Sequence, residues 1–351
     1  MTTPRRIAVN GRILQSSADP LARLSAASLV RRLSAEPDLA LHVIAPQDRD
    51  GPRPAGRRLG AAYFDQVHFP RAAGRLDADL LLYLHSSAPI VGSAPSVSWF
   101  ADGEESSIGW RRGRLERSLG LAGLRGAAAV LRPSDAPEPA LDLAWVSVPA
   151  LVPDEVFAEG SSPAASRDAN LPDAFVLCLG ETDETFPLIL AAWTWVESSL
   201  GDSYFLVVPV RDETGRLRVK RAAEVRGLAE TVRAVILPDV DWGPAFHRAS
   251  ALLHGAGVGN AAALRWALAA GLPVAALTSP VSQSIVGPAG YLTGATAREL
   301  GAGCLTLLVE ESVAQPLRER GRERARRFSP PAAAAEWGDV LRRVARSRDQ
   351  M

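Results

Sequence analysis

The sequence has little lysine, little cysteine and no long apolar run. Lys220 is the only lysine, so nearly all of the positive charge is carried by arginine, the better bidentate ligand for phosphate where it lines a cleft. Basic and acidic side chains number 39 each, a balance that argues against a nucleic-acid binder relying on phosphate neutralisation. No apolar run reaches the roughly 18 residues that a membrane span needs, so we expect no transmembrane segment.

The two cysteines, Cys178 and Cys304, lie far apart in apolar runs. This placement predicts buried free thiols rather than a disulfide or a metal site. The first residues include arginines but no apolar segment of secretory length, so we expect no signal peptide and a cytoplasmic location.

Short apolar runs alternate with helical patterns along nearly the whole chain. The runs are continuous rather than alternating, which is typical of strands buried on both faces in parallel sheets covered by helices. The chain of 351 residues is long enough for two domains, and residues 150–172 have the composition of a linker. We therefore predict an α/β protein with two Rossmann-like domains, whose ligands bind beyond the carboxyl ends of the strands.

One stretch, Ala251–Thr278, has the layout of a phosphate-binding βαβ unit. An apolar run leads into the glycine-rich loop Gly255–Asn260, and an alanine- and leucine-rich helical segment follows. Free N–H groups and the helix dipole favour an anion at such a helix start. The residues from this loop that are candidates for ligand binding are His254, Gly255, Gly257, Gly259 and Asn260.

Each of these candidates also has a purely structural interpretation. The glycines suit a tight strand-to-helix turn as well as a phosphate cradle. Asn260 is better placed to cap the following helix than to bind a ligand. Arg265, within that helix, faces either the cleft or solvent, and we expect solvent.

Six segments resemble, in chain order, landmarks of the family 4 (group 1) glycosyltransferases, which have the GT-B fold. These segments are Asp79–His85, Ser98–Asp102, Ala127–Ser134, Val148–Phe157, Phe175–Gly180 with Leu190–Trp193, and Gly321–Ser329. The resemblance implies two Rossmann-like domains with parallel sheets facing across a cleft. It implies an acceptor-side domain over residues 1–155, a nucleotide-sugar-side domain over 156–330, and a helix over 331–351 that returns to the first domain.

The same resemblance implies transfer of a hexose from a nucleotide sugar, with retention and without a metal ion or other cofactor. The implied partners are the nucleotide sugar and a glycan or small-molecule acceptor. His85 ends a predicted strand and is a candidate base or acceptor ligand, although a local hydrogen bond would also account for it. Asp102 is what remains of the family's His-Asp pair, and a solvated acidic turn is the alternative.

The chain departs from the family at the donor site. The family places two glutamates eight positions apart across the glycine loop and helix, and those positions fall here on Val258 and Trp266. Neither side chain can carry a negative charge or accept a hydroxyl hydrogen bond. Where the family often has a cation for the diphosphate, this chain has the acidic run Glu181–Thr185.

These departures keep a second hypothesis open. The protein is then a non-catalytic GT-B relative that acts as a scaffold or as the partner of another glycosyltransferase in glycan assembly. A different GT-B enzyme, such as a sugar epimerase, is a third and minor hypothesis. Trp266 either fills part of the nucleotide pocket or anchors its helix to the sheet.

Overall fold

A computed structural model describes residues 4–15, 19–46, 62–84, 88–92, 94–100, 114–137, 141–157, 171–180, 184–255 and 261–347, with the backbone alone at residues 114–117 and 119. Contacts divide the chain into two compact units. The first unit comprises Met1–Leu151 and Pro330–Met351, and the second comprises Val152–Ser329.

The described residues form strands and helices that alternate along most of the chain. The strands are β1 Arg5–Asn10, β2 Leu39–Ile44, β3 Leu80–Tyr83, β4 Ser96–Trp99, β5 Ala129–Pro133, β6 Trp145–Val148, β7 Phe175–Leu177, β8 Phe205–Pro209, β9 Val232–Val235, β10 Ala251–His254, β11 Val274–Leu277 and β12 Tyr291–Thr293. The α-helices are α1 Pro20–Leu33, α2 Phe69–Arg75, α3 Arg114–Gly126, α4 Asp154–Phe157, α5 Phe186–Leu200, α6 Glu213–Glu224, α7 Trp242–Arg248, α8 Ala261–Ala270, α9 Pro280–Ile285, α10 Ala297–Val309, α11 Glu311–Ala325 and α12 Pro330–Ser347.

Each unit is built on a six-stranded sheet in which every neighbouring pair of strands is parallel. The strand order is β2-β1-β3-β4-β5-β6 in the first unit and β12-β11-β10-β7-β8-β9 in the second. All residues of the central strands β3, β7 and β10 are buried, which accounts for their continuous apolar sequences. The predicted α/β fold with two Rossmann-like domains is confirmed.

Several helices begin at residues whose side chains satisfy the first free backbone N–H groups. Asp19 accepts a hydrogen bond from the N–H of Ala22 over 2.9 Å at the start of α1. Thr296 and Glu299 form a capping box at the start of α10. These capping side chains set the residues at which α1 and α10 begin.

The final helix, α12, is packed into the core of the first unit. Trp337 is fully buried, and its ring centroid lies 4.9 Å from that of Trp99 on β4. Its indole N–H donates to the carbonyl of Pro149 over 3.2 Å. The residues after 330 thus supply part of the core of a sheet whose strands lie more than 180 positions earlier in the chain.

The predictions about the two cysteines and about a transmembrane segment can be compared with the described residues. Cys178 and Cys304 are both buried free thiols, as predicted, and burial raises the pKa of Cys304 to about 12. In the part of the chain that the structure describes, no helix combines the length and the hydrophobicity that a membrane crossing requires.

Arg342 ties α12 to the connection between α1 and β2. Its guanidinium makes two hydrogen bonds to the Asp38 carboxylate, over 2.8 and 3.0 Å, and one of 2.8 Å to Glu36. The hydrogen bond from Arg342 lowers the pKa of Asp38, and the same carboxylate raises the pKa of Arg342. This pairing is partly exposed, so its contribution to stability is modest.

We predict that Arg342→Gln lowers the free energy of unfolding by about 1 kcal/mol at neutral pH. Because the pKa of Asp38 is lower in the folded protein, this stabilisation is fully present above the unfolded pKa of about 3.9 and is lost as the pH falls through the folded value. Urea unfolding from pH 7 to pH 3 should show the difference from wild type disappearing below about pH 4. Arg343→Gln, at an exposed neighbouring position, is the matched control. An equal loss in both variants, or a gap that widens in acid, would contradict the assignment.

Candidate functional site

The strand order of the second sheet reverses between β7 and β10. From β7 the chain proceeds through α5 to β8 on one side, and it later returns through α7 to β10 on the other side. Diverging connections leave a crevice at the carboxyl ends of the two strands, and ligands of doubly wound sheets bind there. The topology by itself therefore places a candidate site at the ends of β7 and β10.

Two of the sequence-predicted binding residues lie at this point. His254 is the last residue of β10, is only 3% exposed and is in register with Ala276 of β11. Gly255 follows directly and is buried. On the neighbouring strand, the chain leaves β7 through Gly180, whose φ of 99° lies in the left-handed region that favours glycine.

Gly255 is required by the close approach of the Thr185 side chain to the end of β10. A Cβ placed on it would overlap the Oγ1 of Thr185 and would lie 2.9 Å from the Cβ of Thr185. Thr185 is the N-cap residue, immediately before α5. The glycine thus allows the start of α5, with its free N–H groups, to close onto the end of β10.

The other predicted residues of the glycine loop lie outside the described residues. They are Gly257, Val258, Gly259 and Asn260. The same holds for the candidate catalytic residues His85 and Asp102. Of the acidic run, Glu184 is described and exposed, whereas Glu181–Asp183 are not described. The roles of all these residues stay predictions.

Trp266 lies in the interior of the second unit. Its side chain is 1% exposed, and its ring centroid is 5.5 Å from that of Phe246 on α7. The helix that carries it, α8, packs against α4, α7, α9 and α11. This packing supports the anchoring interpretation of the indole, and its role in donor binding stays a prediction.

The expectation that Arg265 faces solvent is wrong. Its side chain is only 3% exposed. The reason is that α8 is enclosed by neighbouring helices on more than one side, and all its described residues except Ala262 are buried. The local sequence pattern of an alanine-rich helix does not reveal such complete enclosure.

The first sheet has its own reversal of strand order, between β1 and β3. Asn10 is the last residue of β1, and its side-chain amide donates to the carboxylate of Asp65 over 2.9 Å. Asp65, 3% exposed, lies in a π-helical turn, Phe64–His68, a type of distortion often found at functional sites. Tyr83, the last residue of β3, donates its hydroxyl to the backbone carbonyl of Asp65 over 3.0 Å.

Arg12 extends this cluster towards the surface. Its guanidinium lies 2.7 Å from one carboxylate oxygen of Asp65 and donates to the other over 3.1 Å. The Arg12 side chain is 24% exposed, so the ion pair is reachable at the carboxyl edge of the sheet. Burial raises the pKa of Tyr83 far above its ordinary value, and the nearby Asp65 raises it further, so the phenol stays protonated.

Sequence reasoning missed this second cluster. The polar residues Asn10 and Arg12 directly after an apolar strand are the one local signal that could have indicated it. Asp65 comes from a segment 55 positions away and gave no signal of its own.

Comparison with known proteins bears on the fold. No protein-family model matches the sequence, and no curated protein sequence matches it. Sucrose-phosphate synthase from Thermosynechococcus elongatus is similar in structure at a TM-score of 0.68 and 15% identity, over 98% of this chain and 100% of that one. WaaG, a glycosyltransferase involved in lipopolysaccharide biosynthesis, is similar in structure at a TM-score of 0.67 and 14% identity. The match covers 95% of this chain and 99% of WaaG.

Anabaena HepE, whose structure contains UDP and glucose, is similar at a TM-score of 0.65 and 12% identity, over 96% of this chain and 99% of that one. A putative UDP-N-acetylglucosamine 2-epimerase from Listeria monocytogenes is similar at a TM-score of 0.63 and 14% identity. The match covers 100% of this chain and 98% of the epimerase. The chain therefore has the two-domain GT-B fold of glycosyltransferases, as the sequence resemblance implied. At these identities the likeness establishes the fold alone.

We predict that Gly255→Ala lowers the free energy of unfolding by about 1–3 kcal/mol, because the new methyl group overlaps Thr185. Adding Thr185→Gly removes the overlapping atoms and should recover part of the loss. Gly126→Ala is the control, since a Cβ there meets no atom within 4 Å. Chemical denaturation of the three variants measures the effect. An unchanged stability of Gly255→Ala would show that α5 does not close onto β10.

We predict that Trp266→Glu prevents stable folding, because a carboxylate at a 1% exposed position loses its hydration, at a cost of several kcal/mol. Trp266→Phe should fold with a small loss, since it keeps an aromatic contact with Phe246. Circular dichroism and thermal melting distinguish the variants. A Trp266→Glu protein that melts close to wild type would place the residue in a hydrated pocket and support its donor-binding role.

Proposed function

We propose that the protein is a glycosyltransferase that binds a nucleotide sugar at the carboxyl edge of its second sheet. The observation that carries this proposal is the junction of β10, Gly255 and the start of α5 at the reversal of strand order. Two helix starts, those of α5 and α8, follow the strands that meet there. Their free N–H groups and dipoles favour a diphosphate.

The proposed reaction moves a hexose from the nucleotide to an acceptor hydroxyl with retention. The bond from the anomeric carbon to the diphosphate breaks, a bond to the acceptor oxygen forms on the same face, and the hydroxyl proton leaves with the diphosphate. Backbone N–H groups of the glycine loop and of the helix starts stabilise the charge that develops on the leaving diphosphate. His254, at the end of β10, is the described side chain best placed to contact the donor.

The proposed acceptor side comprises residues 1–155 and the helix 331–351, and residues 156–330 are the proposed nucleotide-sugar side. Arg12 and Asp65 lie at the carboxyl edge of the first sheet, where a polar acceptor would meet a partly exposed guanidinium. We propose that the acceptor is a glycan or a small molecule and that the protein acts in the cytoplasm.

A second candidate function is that of a non-catalytic relative, a scaffold or partner of another glycosyltransferase. One observation favours it: Trp266, at a position where the resemblance implies a glutamate, is buried in contact with Phe246. A ribose hydroxyl bound by a carboxylate in related enzymes would lack that acceptor here.

We predict that nucleotide sugars bind more weakly than low micromolar, because both glutamates are replaced and the diphosphate position is acidic. Thermal shift followed by calorimetry with UDP, GDP, ADP and their sugars measures this, since a bound ligand stabilises the folded state by mass action. A low-micromolar dissociation constant would contradict the prediction and show that other groups replace the glutamates.

Turnover measured on the same mixtures of protein and nucleotide sugar distinguishes the two candidate functions. Release of free nucleotide from the bound nucleotide sugar in the presence of acceptor mixtures supports a transferase, whereas binding without turnover supports the non-catalytic relative. Arg12→Gln should lower transfer while leaving nucleotide affinity unchanged, because Arg12 follows β1 in the first unit. Failure to bind any of the nucleotides would overturn the donor site itself.

A further inference from the structure

A cavity of about 920 Å³ lies within the second unit at the opposite edge of the sheet from His254 and Gly255. Its lining includes the residues that immediately precede three strands: Tyr204 before β8, Ser250 before β10 and Pro273 before β11. The cavity is therefore at the amino ends of the strands. It is within the size range of pockets that hold small organic ligands.

One wall of this cavity is cationic. Arg318, Arg322 and Arg326 all line it, and their spacing of four residues places them along one face of α11 and the turn that follows it. Glu311 also lines the cavity and accepts from Arg318 over 2.5 Å. Arg326 pairs with Glu323 over 2.7 Å, and both of these side chains are mostly exposed.

The backbone is shaped to admit the central arginine. Gly271, at the end of α8, has a φ of 69°, in the left-handed region that favours glycine. A Cβ on Gly271 would overlap the Nε of Arg322 and would lie 2.6 Å from its Cζ. The glycine thus leaves room for the guanidinium against the chain that leads into β11.

The remaining walls are apolar or uncharged. Phe157 and Leu308 line the cavity and are partly exposed, whereas Phe246, which is also in the lining, is fully buried. His247 lines it too, and burial lowers the pKa of its imidazole, with Arg322 lowering it further, so the ring is neutral at pH 7. The cavity therefore carries three guanidinium groups and one carboxylate beside the partly exposed side chains of Phe157 and Leu308.

We propose that this cavity, which we name the arginine cavity, binds a phosphate group attached to an apolar or aromatic molecule. Guanidinium groups in a row suit the several oxygens of a phosphate, which they bind bidentately. The carboxylate of Glu311 sets the position of Arg318. The partly exposed side chains of Phe157 and Leu308 contact the apolar part of the ligand. The arginine cavity lies at the other end of the strands from the proposed donor site and is separate from it.

The test uses the full chain and pyrophosphate as the soluble probe, with Arg322→Gln compared against Arg320→Gln. Both are exposed arginines of α11, and Arg320 does not line the arginine cavity. We expect Arg322→Gln to weaken pyrophosphate binding about tenfold, as loss of one charged hydrogen bond predicts, and Arg320→Gln to change it less than twofold. The affinity for UDP, measured in parallel, should be the same in both variants, which separates this site from the donor site.

A second arm distinguishes a lipid headgroup from a free phosphate. Vesicles of phosphatidylcholine alone and of phosphatidylcholine with phosphatidylglycerol are sedimented with each variant. Binding to the anionic vesicles that is lost in Arg322→Gln but kept in Arg320→Gln supports the arginine cavity with a lipid as the source. Equal effects of the two substitutions on both probes, or no binding of either probe by the wild-type protein, would overturn the proposal. Circular dichroism confirms that the variants fold.

Discussion

Both sheets of this protein are parallel, and helices must therefore cover each sheet on both faces. The burial of every residue in β3, β7 and β10 expresses this constraint directly. In the first unit the cover includes α12, which comes from the far end of the chain. Trp337 packs in the core beside Trp99, and its indole N–H donates a hydrogen bond to the carbonyl of Pro149. A buried indole without such a partner would be costly, so the contact fixes both the position and the rotation of the helix.

Parallel strands also make the two edges of a sheet chemically different. Helices begin at the carboxyl edge, so free N–H groups collect there, and the reversal of strand order opens a crevice among them. In the second unit this edge carries His254, Gly255 and the start of α5. Helices end rather than begin at the amino edge, so the anion that we propose there is attracted by side chains. The arginines of α11 provide that charge, and Gly271 provides the space for one of them.

The proposed transferase and the non-catalytic relative differ in how the nucleotide is held. The free backbone N–H groups at a helix start come with the fold and do not depend on which side chains lie nearby. A carboxylate for the ribose has to be a side chain, and Trp266 stands at one of the two positions in question, in contact with Phe246. The fold thus supplies the backbone groups that the proposed transferase needs, whereas the replaced side chains favour the proposed non-catalytic relative.

The sequence by itself determined the α/β class, the two Rossmann-like domains and the place of the glycine loop after β10. These follow from continuous apolar runs and from glycines beside a helical pattern, which are local properties of the chain. Only the tertiary structure decided that Arg265 is buried, that Gly255 meets Thr185, and that Asp65 joins Asn10 and Arg12. Each of these depends on segments distant in sequence that come together only when helices pack on a sheet. Periodicity along one segment reports that a face is apolar, but the neighbour that covers the face is set by the packing of the whole unit.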